Sequence, residues 1–412
     1  MLNTSYTEML QEKDVIFEIF AYATKRRAEV GAENVFDFSL GNPSVPAPKE
    51  VTDAICRITQ ETDPLALHSY SPAGGIPSVR ERIASDLRWR FGVSYEGRHI
   101  FMTCGAAAAL AHAIRAVTNP GDTVLTFAPC FSEYKPYVEG TGCKLCVVPA
   151  DTKTFQISFD ALEEYLTADV TAVLINSPNN PSGAVYSPST LQSLSEVLTV
   201  KAAAYGHPIF LISDEPYRDI LFGRADTTSP AAPGRDNLSS GVQAAYPAAL
   251  YPDTLTCYSF SKSLSLPGER IGYVAVGPNS PFADRICELL PQVSRTTGHN
   301  GAASLLQRVV AECCHLTADL SVYEKNKNLL SEALRSYGYE FVEPDGTFYM
   351  FPRSLEPDAK AFCRRAMEMD LMLVPGDGFG CPGHFRIAYC VPTERVEKAL
   401  PVFKRLAEEY RK

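Results

Sequence analysis

The residue with the clearest chemical potential is a lysine in a serine-rich segment, Ser259 to Tyr273, which reads SFSKSLSLPGERIGY. Lys262 follows an apolar, strand-like run and is flanked by small hydroxylic residues, so it can project into a site. An ammonium group that is removed from water loses part of its stability and becomes a usable amine. Arg270, eight residues further on, carries a guanidinium suited to phosphate. The segment predicts an amine nucleophile beside a phosphate site, although a surface lysine in a serine-rich loop has the same pattern.

A carboxylate and a phenol follow another apolar run. Asp214 comes just after the apolar run 209–212, with Ser213 between them, and Tyr217 lies three residues further on. In parallel α/β sheets, ligands bind beyond the carboxyl ends of the strands, where Asp214 is expected to lie. A carboxylate there can pair with a ring nitrogen of a cofactor and keep it protonated. The alternative is that Asp214 only caps a helix.

Two turns rich in small or polar residues are further candidates for the same edge of a sheet. The turn at 176–183, NSPNNPSG, holds Asn180 rigidly at a strand end, although ordinary turns have the same composition. The segment 103–110, TCGAAAAL, joins a short strand to a helix. Its small residues let a phosphate approach the first backbone N–H groups of the helix, where the helix dipole also helps. Tight packing of a helix on a strand produces the same pattern.

These candidates must be positioned by an alternating series of strands and helices between about residue 100 and residue 275. Continuous apolar strands separated by helices predict an α/β fold, in which helices cover both faces of a mainly parallel sheet. The apolar runs that predict strands are 123–127, 172–175, 209–212 and 271–276, and the helical stretches between them include 106–117 and 190–204.

The remaining parts of the chain have different patterns. The C-terminal third combines helical stretches at 303–314 and 323–336 with apolar runs at 346–351 and 385–391, which predicts a smaller α+β domain. The stretch from Arg224 to Asp253 is polar and rich in proline, glycine and serine, so we expect a long surface loop there.

Composition and charge exclude several classes of protein. A chain of 412 residues favours two domains, and 45% hydrophobic with 21% charged residues is typical of a globular protein. The net charge of −10 argues against a nucleic-acid binder, which usually has a basic surplus. Met1 to Lys13 lacks the pattern of a signal peptide, and no apolar run is long enough to cross a bilayer. We therefore expect a cytoplasmic protein that binds neither nucleic acid nor membrane.

The cysteines do not indicate a disulfide framework or a metal centre. The twelve cysteines are scattered along a long chain without a secretion signal, which favours reduced thiols. Cys143 and Cys146 form a CxxC motif, but a strand-like segment would place them on opposite faces. No second CxxC and no nearby histidine cluster supports zinc, so no metal site is predicted.

Taken together, these segments resemble the class I and II aminotransferases of fold type I, which depend on pyridoxal 5'-phosphate. The resemblance extends over almost the whole chain, from Ser39-Leu-Gly-Asn-Pro43 to Phe385-Arg-Ile-Ala388. It implies a large cofactor-binding domain at 46–295, with helices on both faces of a mainly parallel sheet. It also implies a small C-terminal α+β domain at 296–412, which an N-terminal segment, 1–45, joins.

The resemblance also assigns the residues around the cofactor ring. Lys262 matches the lysine that binds the cofactor aldehyde as a Schiff base and that also shuttles the proton. Asp214 matches the partner of the ring nitrogen, and Asn180 and Tyr217 match the residues that hydrogen-bond the 3-hydroxyl oxygen. Phe131 matches the aromatic residue that stacks on the ring. It is Phe rather than Tyr or Trp, so it has no polar group.

A second group of residues matches the phosphate cup of the family. It consists of Ser259, Arg270 and the backbone at Gly105, Ala106 and Ala107. Gly105 and Ala107 stand where many relatives carry a hydroxyl group, so fewer side-chain contacts to the phosphate are expected.

The substrate residues are also implied by the resemblance. Gly41 and Arg386 match positions that bind the α-carboxylate, and Asn180 also faces the substrate. Arg295 precedes Asn300 by five residues, which resembles the segment that lends an arginine across the dimer interface in one aspartate-transaminase branch. That arginine would bind the distal carboxylate of aspartate or glutamate. The alternative is a solvent-facing arginine at a helix end.

The implied activity is transfer of an amino group from an L-amino acid to a 2-oxo acid by ping-pong kinetics. Tyr70 matches a tyrosine that reaches the phosphate of the neighbouring subunit, so a homodimer is implied. A cystathionine-type C–S lyase shares all of the cofactor residues and is one alternative. A non-catalytic, ligand-sensing aminotransferase-like domain is another, although Lys262 is present and no basic domain precedes residue 40.

Overall fold

The computed structural model describes residues 2, 4–9, 15–223, 228–230 and 242–411. The strands are Phe36–Asp37 (β1), Ile100–Thr103 (β2), Thr123–Phe127 (β3), Lys144–Val148 (β4), Val170–Asn176 (β5), Phe210–Asp214 (β6), Thr228–Pro230 (β7), Val242–Ala244 (β8), Thr254–Ser259 (β9), Gly272–Val276 (β10), Tyr349–Met350 (β11), Leu371–Met372 (β12), Val374–Pro375 (β13) and Phe385–Ala388 (β14). The helices are Thr4–Met9 (α1), Val15–Val30 (α2), Lys49–Glu61 (α3), Pro64–His68 (α4), Pro77–Phe91 (α5), Gly105–Val117 (α6), Tyr134–Glu139 (α7), Phe159–Tyr165 (α8), Pro188–Tyr205 (α9), Pro247–Leu250 (α10), Phe260–Ser263 (α11), Ala283–Thr297 (α12), Ser304–Cys313 (α13), Ser321–Ser336 (α14), Ala359–Glu368 (α15) and Thr393–Glu409 (α16).

The largest sheet in the described part of the chain has seven strands in the order β2-β10-β9-β6-β5-β3-β4. Its pairings are parallel except for those of β10, which runs antiparallel to both β2 and β9. The carboxyl ends of β2, β5, β6 and β9 therefore meet at one edge, together with the beginning of β10. This edge is where a ligand site is expected in such a sheet.

Helices cover both faces of this sheet because successive strand residues point to opposite sides. On one face, Val124 of β3 belongs to a core with residues of α6 and α12. On the other face, the next residue, Leu125, packs in a core with Leu194 and Leu198 of α9. The predicted α/β architecture is confirmed, and the strand predicted at 271–276 is the antiparallel member of the sheet.

A second core lies toward the C-terminus. The strands β11, β14 and β13 form an antiparallel sheet in that order. Helices α14, α15 and α16 contribute buried residues to its core, including Leu330, Phe362 and Phe403. This arrangement fixes Arg386, which lies on the central strand of the small sheet and is 2% exposed.

The N-terminal segment packs against this C-terminal region. Strand β1 pairs in parallel with β12, with Phe36 opposite Leu371. Arg26 of α2 forms an ion pair with Asp370 at 2.6 Å. Helix α13 lies beyond the boundary predicted at residue 295, yet its Val309 and Val310 share a core with α3 and α5. The division into 1–45, 46–295 and 296–412 stays a prediction.

The stretch predicted as one long loop contains regular structure in its described part. Strands β7 and β8 form an antiparallel pair, and α10 follows them. Tyr246 and Tyr251 are buried, with 4% and 3% exposure. The loop prediction is therefore wrong for 228–230 and for 242–250. It failed because the stretch carries buried aromatic residues among its turn-forming ones, and residues 224–227 and 231–241 lie outside the described residues.

Candidate active site

A cavity of about 440 Å³ opens at the edge where the strand ends meet. Most of the residues singled out from the sequence line it. These are Gly41, Ala106, Ala107, Phe131, Asn180, Asp214, Tyr217, Ser259, Lys262, Arg270 and Arg386.

Lys262 enters the cavity from α11, a single helical turn that follows β9 directly. Ser259 begins this turn, because its side-chain oxygen accepts a hydrogen bond from the backbone N–H of Ser261. The Nζ atom of Lys262 donates a hydrogen bond to the carbonyl oxygen of Gly41 at 2.6 Å. Burial, assisted by the charges of Arg270 and Arg386, lowers the pKa of Lys262 to about 8. The amine is thus available near neutral pH to a much greater extent than an ordinary lysine.

Asp214 is the last residue of β6 and is 5% exposed. Its Oδ2 atom accepts a hydrogen bond from the Tyr134 hydroxyl at 2.6 Å. Its Oδ1 atom is buried and has no hydrogen-bond partner within the described residues. Burial raises the pKa of Asp214 to about 7, against the hydrogen bond from Tyr134, which lowers it. A buried carboxylate oxygen without a partner is costly unless a ligand donates to it. No helix begins at Asp214, so the capping alternative is wrong.

A chain of hydrogen bonds connects the turn after β5 to β14 of the C-terminal sheet. The side-chain amide of Asn176 donates to the backbone oxygen of Asp214 at 2.8 Å, and its oxygen accepts from the Asn180 backbone at 2.7 Å. The Asn180 Oδ1 atom then accepts from Nη1 of Arg386 at 3.0 Å. Arg386 also donates to the backbone oxygen of Ser39. The predicted turn therefore holds Asn180 rigidly beside the guanidinium group.

Two tyrosines form one wall near Gly41. The hydroxyl groups of Tyr217 and Tyr349 lie 3.1 Å apart, and the Arg386 guanidinium lies 4.8 Å from the centre of the Tyr349 ring. A Cβ atom built on Gly41 would lie 1.7 Å from the Tyr349 hydroxyl oxygen. Only glycine fits there, because any side chain would collide with Tyr349.

The residues predicted to form a phosphate cup lie together at the beginning of α6. Gly105 has a φ of +83°, and a Cβ atom there would lie 2.7 Å from Nη2 of Arg270. Nη1 of Arg270 donates to the carbonyl oxygen of Pro267 at 3.0 Å, and the Ser259 and Ser261 hydroxyls lie 2.7 Å apart. A cation, two hydroxyl groups and the first backbone N–H groups of a helix therefore converge on one end of the cavity.

Two predicted site residues lie away from the cavity in this subunit. Tyr70 is fully exposed, and Arg295 is exposed in the last turn of α12. Neither residue lines the cavity, so their predicted roles stay predictions.

Sequence reasoning missed several residues that the fold brings to the site. Tyr134 and Tyr137, in the segment after Phe131, lie against the site, and Tyr349 comes from β11 of the C-terminal sheet. The position of Tyr134, three residues after Phe131 and at the beginning of a helix, was a usable signal. Nothing local distinguishes Tyr349, because its contacts to Tyr217 and Arg386 join separate parts of the chain.

The described residues contain no group of three or more histidine, cysteine or acidic side chains arranged to hold a metal ion. Cys143 lies just before β4, and its thiol lies 3.3 Å from the Thr118 hydroxyl. In the part of the chain covered by the structure, no helix is long and apolar enough to cross a membrane.

Comparison with known proteins agrees with this geometry. The model of the family "Aminotransferase class I and II" matches residues 33–403. A probable aspartate/prephenate aminotransferase of Aquifex aeolicus is 31% identical and covers 95% of both chains. Among solved structures, an amino transferase of Eubacterium rectale is 43% identical, with a TM-score of 0.93 and 100% of both chains covered. The aspartate aminotransferase of Thermus thermophilus with maleate is 25% identical, with a TM-score of 0.83, and the match covers 98% of this chain and 100% of that one.

Proposed function

Because the chain belongs to the class I and II aminotransferase family, we propose that the cavity holding Lys262 moves an amino group from an L-amino acid to a 2-oxo acid by a ping-pong reaction. Its fold is fold type I, and its activity is that of a transaminase. The relatives named above are aminotransferases, so the C–S lyase alternative is not favoured.

The residues present fit pyridoxal 5'-phosphate. The buried, unpartnered Oδ1 atom of Asp214 suits a ring N–H, and Arg270 beside Gly105 suits the phosphate group. Lys262 lines the same cavity and suits the aldehyde, and Phe131, which also lines it, suits the ring. When bound, the cofactor supplies an electron sink for the bond that breaks at the substrate Cα.

The substrate carboxylate is proposed to bind Arg386. A guanidinium group binds a carboxylate through two parallel hydrogen bonds, and Asn180 already fixes the orientation of the Arg386 fork. The contacts to Ser39 and Tyr349 restrain the same side chain from two other directions. Binding there fixes which substituent of Cα faces Lys262.

Lys262 is proposed to move the proton. Its pKa of about 8 lies near the operating pH, which is the most effective range for a group that must both accept and release a proton. The carbonyl of Gly41 positions the amine at 2.6 Å. Asp214 is proposed to remain ionised beside a positively charged ring nitrogen, because an opposite charge outweighs the burial that raises its pKa.

One observation carries this proposal. A lysine amine with a lowered pKa and a buried carboxylate with a free oxygen line the same cavity, with a guanidinium group at each end. Purely structural roles for Lys262 and Asp214 would not explain why both groups line one cavity in this state.

The substrate is proposed to be a dicarboxylic amino acid, aspartate or glutamate. In the described part of the chain, the basic residues that line the cavity are Lys262, Arg270 and Arg386. Each of these three residues already has a proposed role, so the distal carboxylate of the substrate needs a cation from outside this cavity. We propose Arg295 of the partner subunit, within a homodimer in which Tyr70 also reaches the neighbouring phosphate. A cytoplasmic location belongs to the same proposal.

A screen of amino donors tests the function. Purified protein with cofactor is incubated with aspartate, glutamate, alanine and an aromatic amino acid, each against 2-oxoglutarate, oxaloacetate and pyruvate. We expect the two acidic donors to give the highest kcat/KM. Release of ammonia and pyruvate from a sulfur amino acid, without any 2-oxo acid acceptor, would contradict the transaminase assignment.

A further inference from the structure

Tyr134 connects two residues proposed to hold the cofactor ring. It is the first residue of α7 and is 1% exposed. Its hydroxyl donates to Oδ2 of Asp214 at 2.6 Å, and its ring meets Phe131 edge-on, with centres 5.7 Å apart and planes at 88°. One side chain therefore contacts both the carboxylate proposed for the ring nitrogen and the aromatic face proposed to stack on the ring.

The hydrogen bond has two consequences for Asp214. It fixes the plane of the carboxylate by holding one oxygen, which leaves Oδ1 as the atom available to a ligand. It also opposes desolvation, because a donor to a carboxylate favours the ionised form. Burial and the neighbouring charge of Glu215 act in the other direction on the pKa of Asp214.

The other titratable groups around Asp214 do not replace this donor. Glu215 is an acceptor that already binds Arg218, with Oε2 and Nη1 3.0 Å apart. Burial raises the pKa of the remaining groups above the neutral range, so they stay uncharged there. These are Tyr137 of α7, Tyr217 beyond β6 and Cys257 of β9.

We propose that Tyr134 is a positioning residue that holds Asp214 as an oriented carboxylate, with Oδ1 directed at the protonated nitrogen of a pyridine ring. The inference rests on the proposed function, because that ring belongs to the cofactor named there. Tyr134 acts through Asp214 and Phe131 and touches neither substrate nor reacting atoms.

Two substitutions separate the two contacts. Tyr134→Phe keeps the ring packed on Phe131 and removes only the donor, whereas Tyr134→Leu removes both. Tyr251→Phe is the matched control, because the Tyr251 hydroxyl is also buried and donates to the backbone oxygen of Ile209 at 2.8 Å, away from the cavity.

The first measurement uses the cofactor-free protein. The titration of Asp214 is followed by infrared spectroscopy, through the protonated carboxyl band that Asp214→Asn removes. We expect Tyr134→Phe to raise the midpoint by about one pH unit, a tenfold change in acidity. Tyr251→Phe should leave the midpoint unchanged. An unchanged midpoint in Tyr134→Phe overturns the inference, whether or not the protein is active.

The second measurement uses the protein with bound cofactor. In Tyr134→Phe we expect kcat to fall about tenfold and KM to change less than about twofold, because the lost contact matters when charge develops on the ring. Tyr134→Leu should in addition weaken cofactor binding. Equal losses in Tyr134→Phe and Tyr251→Phe would make Tyr134 structural only. Wild-type protein that binds no cofactor would refute the proposed function, and the titration result would still decide whether Tyr134 controls Asp214.

Discussion

Asp214 and Lys262, which we call the floor of the cavity, line it within one subunit, whereas Tyr70 and Arg295 are exposed on that subunit. Asp214 and Lys262 on the floor are withdrawn from water, and burial shifts their pKa values to about 7 and about 8. Tyr70 and Arg295 face solvent, where water and salt screen their interactions. The shifted pKa values of Asp214 and Lys262 therefore arise within one subunit. The choice of substrate, in contrast, is proposed to arise only when two subunits form a dimer.

The largest effect is expected from Lys262 on the floor. Lys262→Ala should lower kcat at least about 10⁴-fold, because the amine that binds the aldehyde and moves the proton is lost. Lys49→Ala, which removes an exposed lysine paired with Asp53, is the control and should keep full activity. Borohydride reduction followed by peptide mapping should place the cofactor on Lys262. Labelling of another lysine would contradict the site assignment.

Asp214→Ala should have the next largest effect, a fall in kcat of about 10³-fold with the fold retained. Without the carboxylate the ring nitrogen loses its proton and the electron sink weakens. Asp253→Ala is a suitable control, because that half-buried carboxylate accepts from Ser280 outside the cavity. Steady-state kinetics and circular dichroism check both variants. Near-normal turnover would show that the buried carboxylate has no part in the reaction.

A substitution of Arg295 tests most directly whether an exposed residue controls the choice of substrate. Arg295→Asp should lower kcat/KM for aspartate and glutamate at least about tenfold, or about 1.4 kcal/mol of transition-state binding. Activity toward alanine or an aromatic donor should change much less. Arg285→Asp, on the same helix and also exposed, is the control. If all donors fall together, Arg295 is structural, and if none falls, the dicarboxylate proposal should be dropped.

A hybrid dimer tests whether Tyr70 serves the neighbouring site. In a dimer of one Tyr70→Phe subunit and one Lys262→Ala subunit, both lesions fall in one site and the other site is intact. After random exchange of subunits, about half of the dimers are hybrids, and each hybrid has one intact site. About a quarter of all sites should therefore be active. Activity is measured before and after mixing, and each parent mixed with itself is the control. Full activity of a dilute, strictly monomeric preparation would refute the shared site.

The smallest effect concerns the stability of the cofactor-free protein. The folded pKa of Asp214, about 7, lies above its usual value of 3.8, so the folded state loses stability as the pH rises between these values. Asp214→Asn lacks this cost and should be more stable than wild type at pH 8, by roughly 2–4 kcal/mol. The gain should shrink as the pH falls toward 4. Calorimetric unfolding at several pH values measures it, and a gain independent of pH would show that the carboxyl is not shifted.

The local sequence determined several strands and helices of the large sheet region and the residues at the strand ends. Apolar runs such as 123–127 and turns such as 176–183 are decided by neighbours in the chain, because side-chain alternation and turn chemistry act over a few residues. For the same reason Asp214 and Lys262 could be placed at one edge of a parallel sheet before any contact was known.

Tertiary structure alone decided which distant groups meet these residues. Tyr134 reaches Asp214 across 80 residues, and Arg386 reaches Asn180 across 206. Likewise, no local pattern indicated that Tyr246 and Tyr251 are buried. The polar composition of this stretch therefore predicted a loop where regular structure occurs. The physical reason is that burial and hydrogen-bond pairing depend on the packed surroundings of a side chain, and these surroundings are built from segments far apart in the sequence.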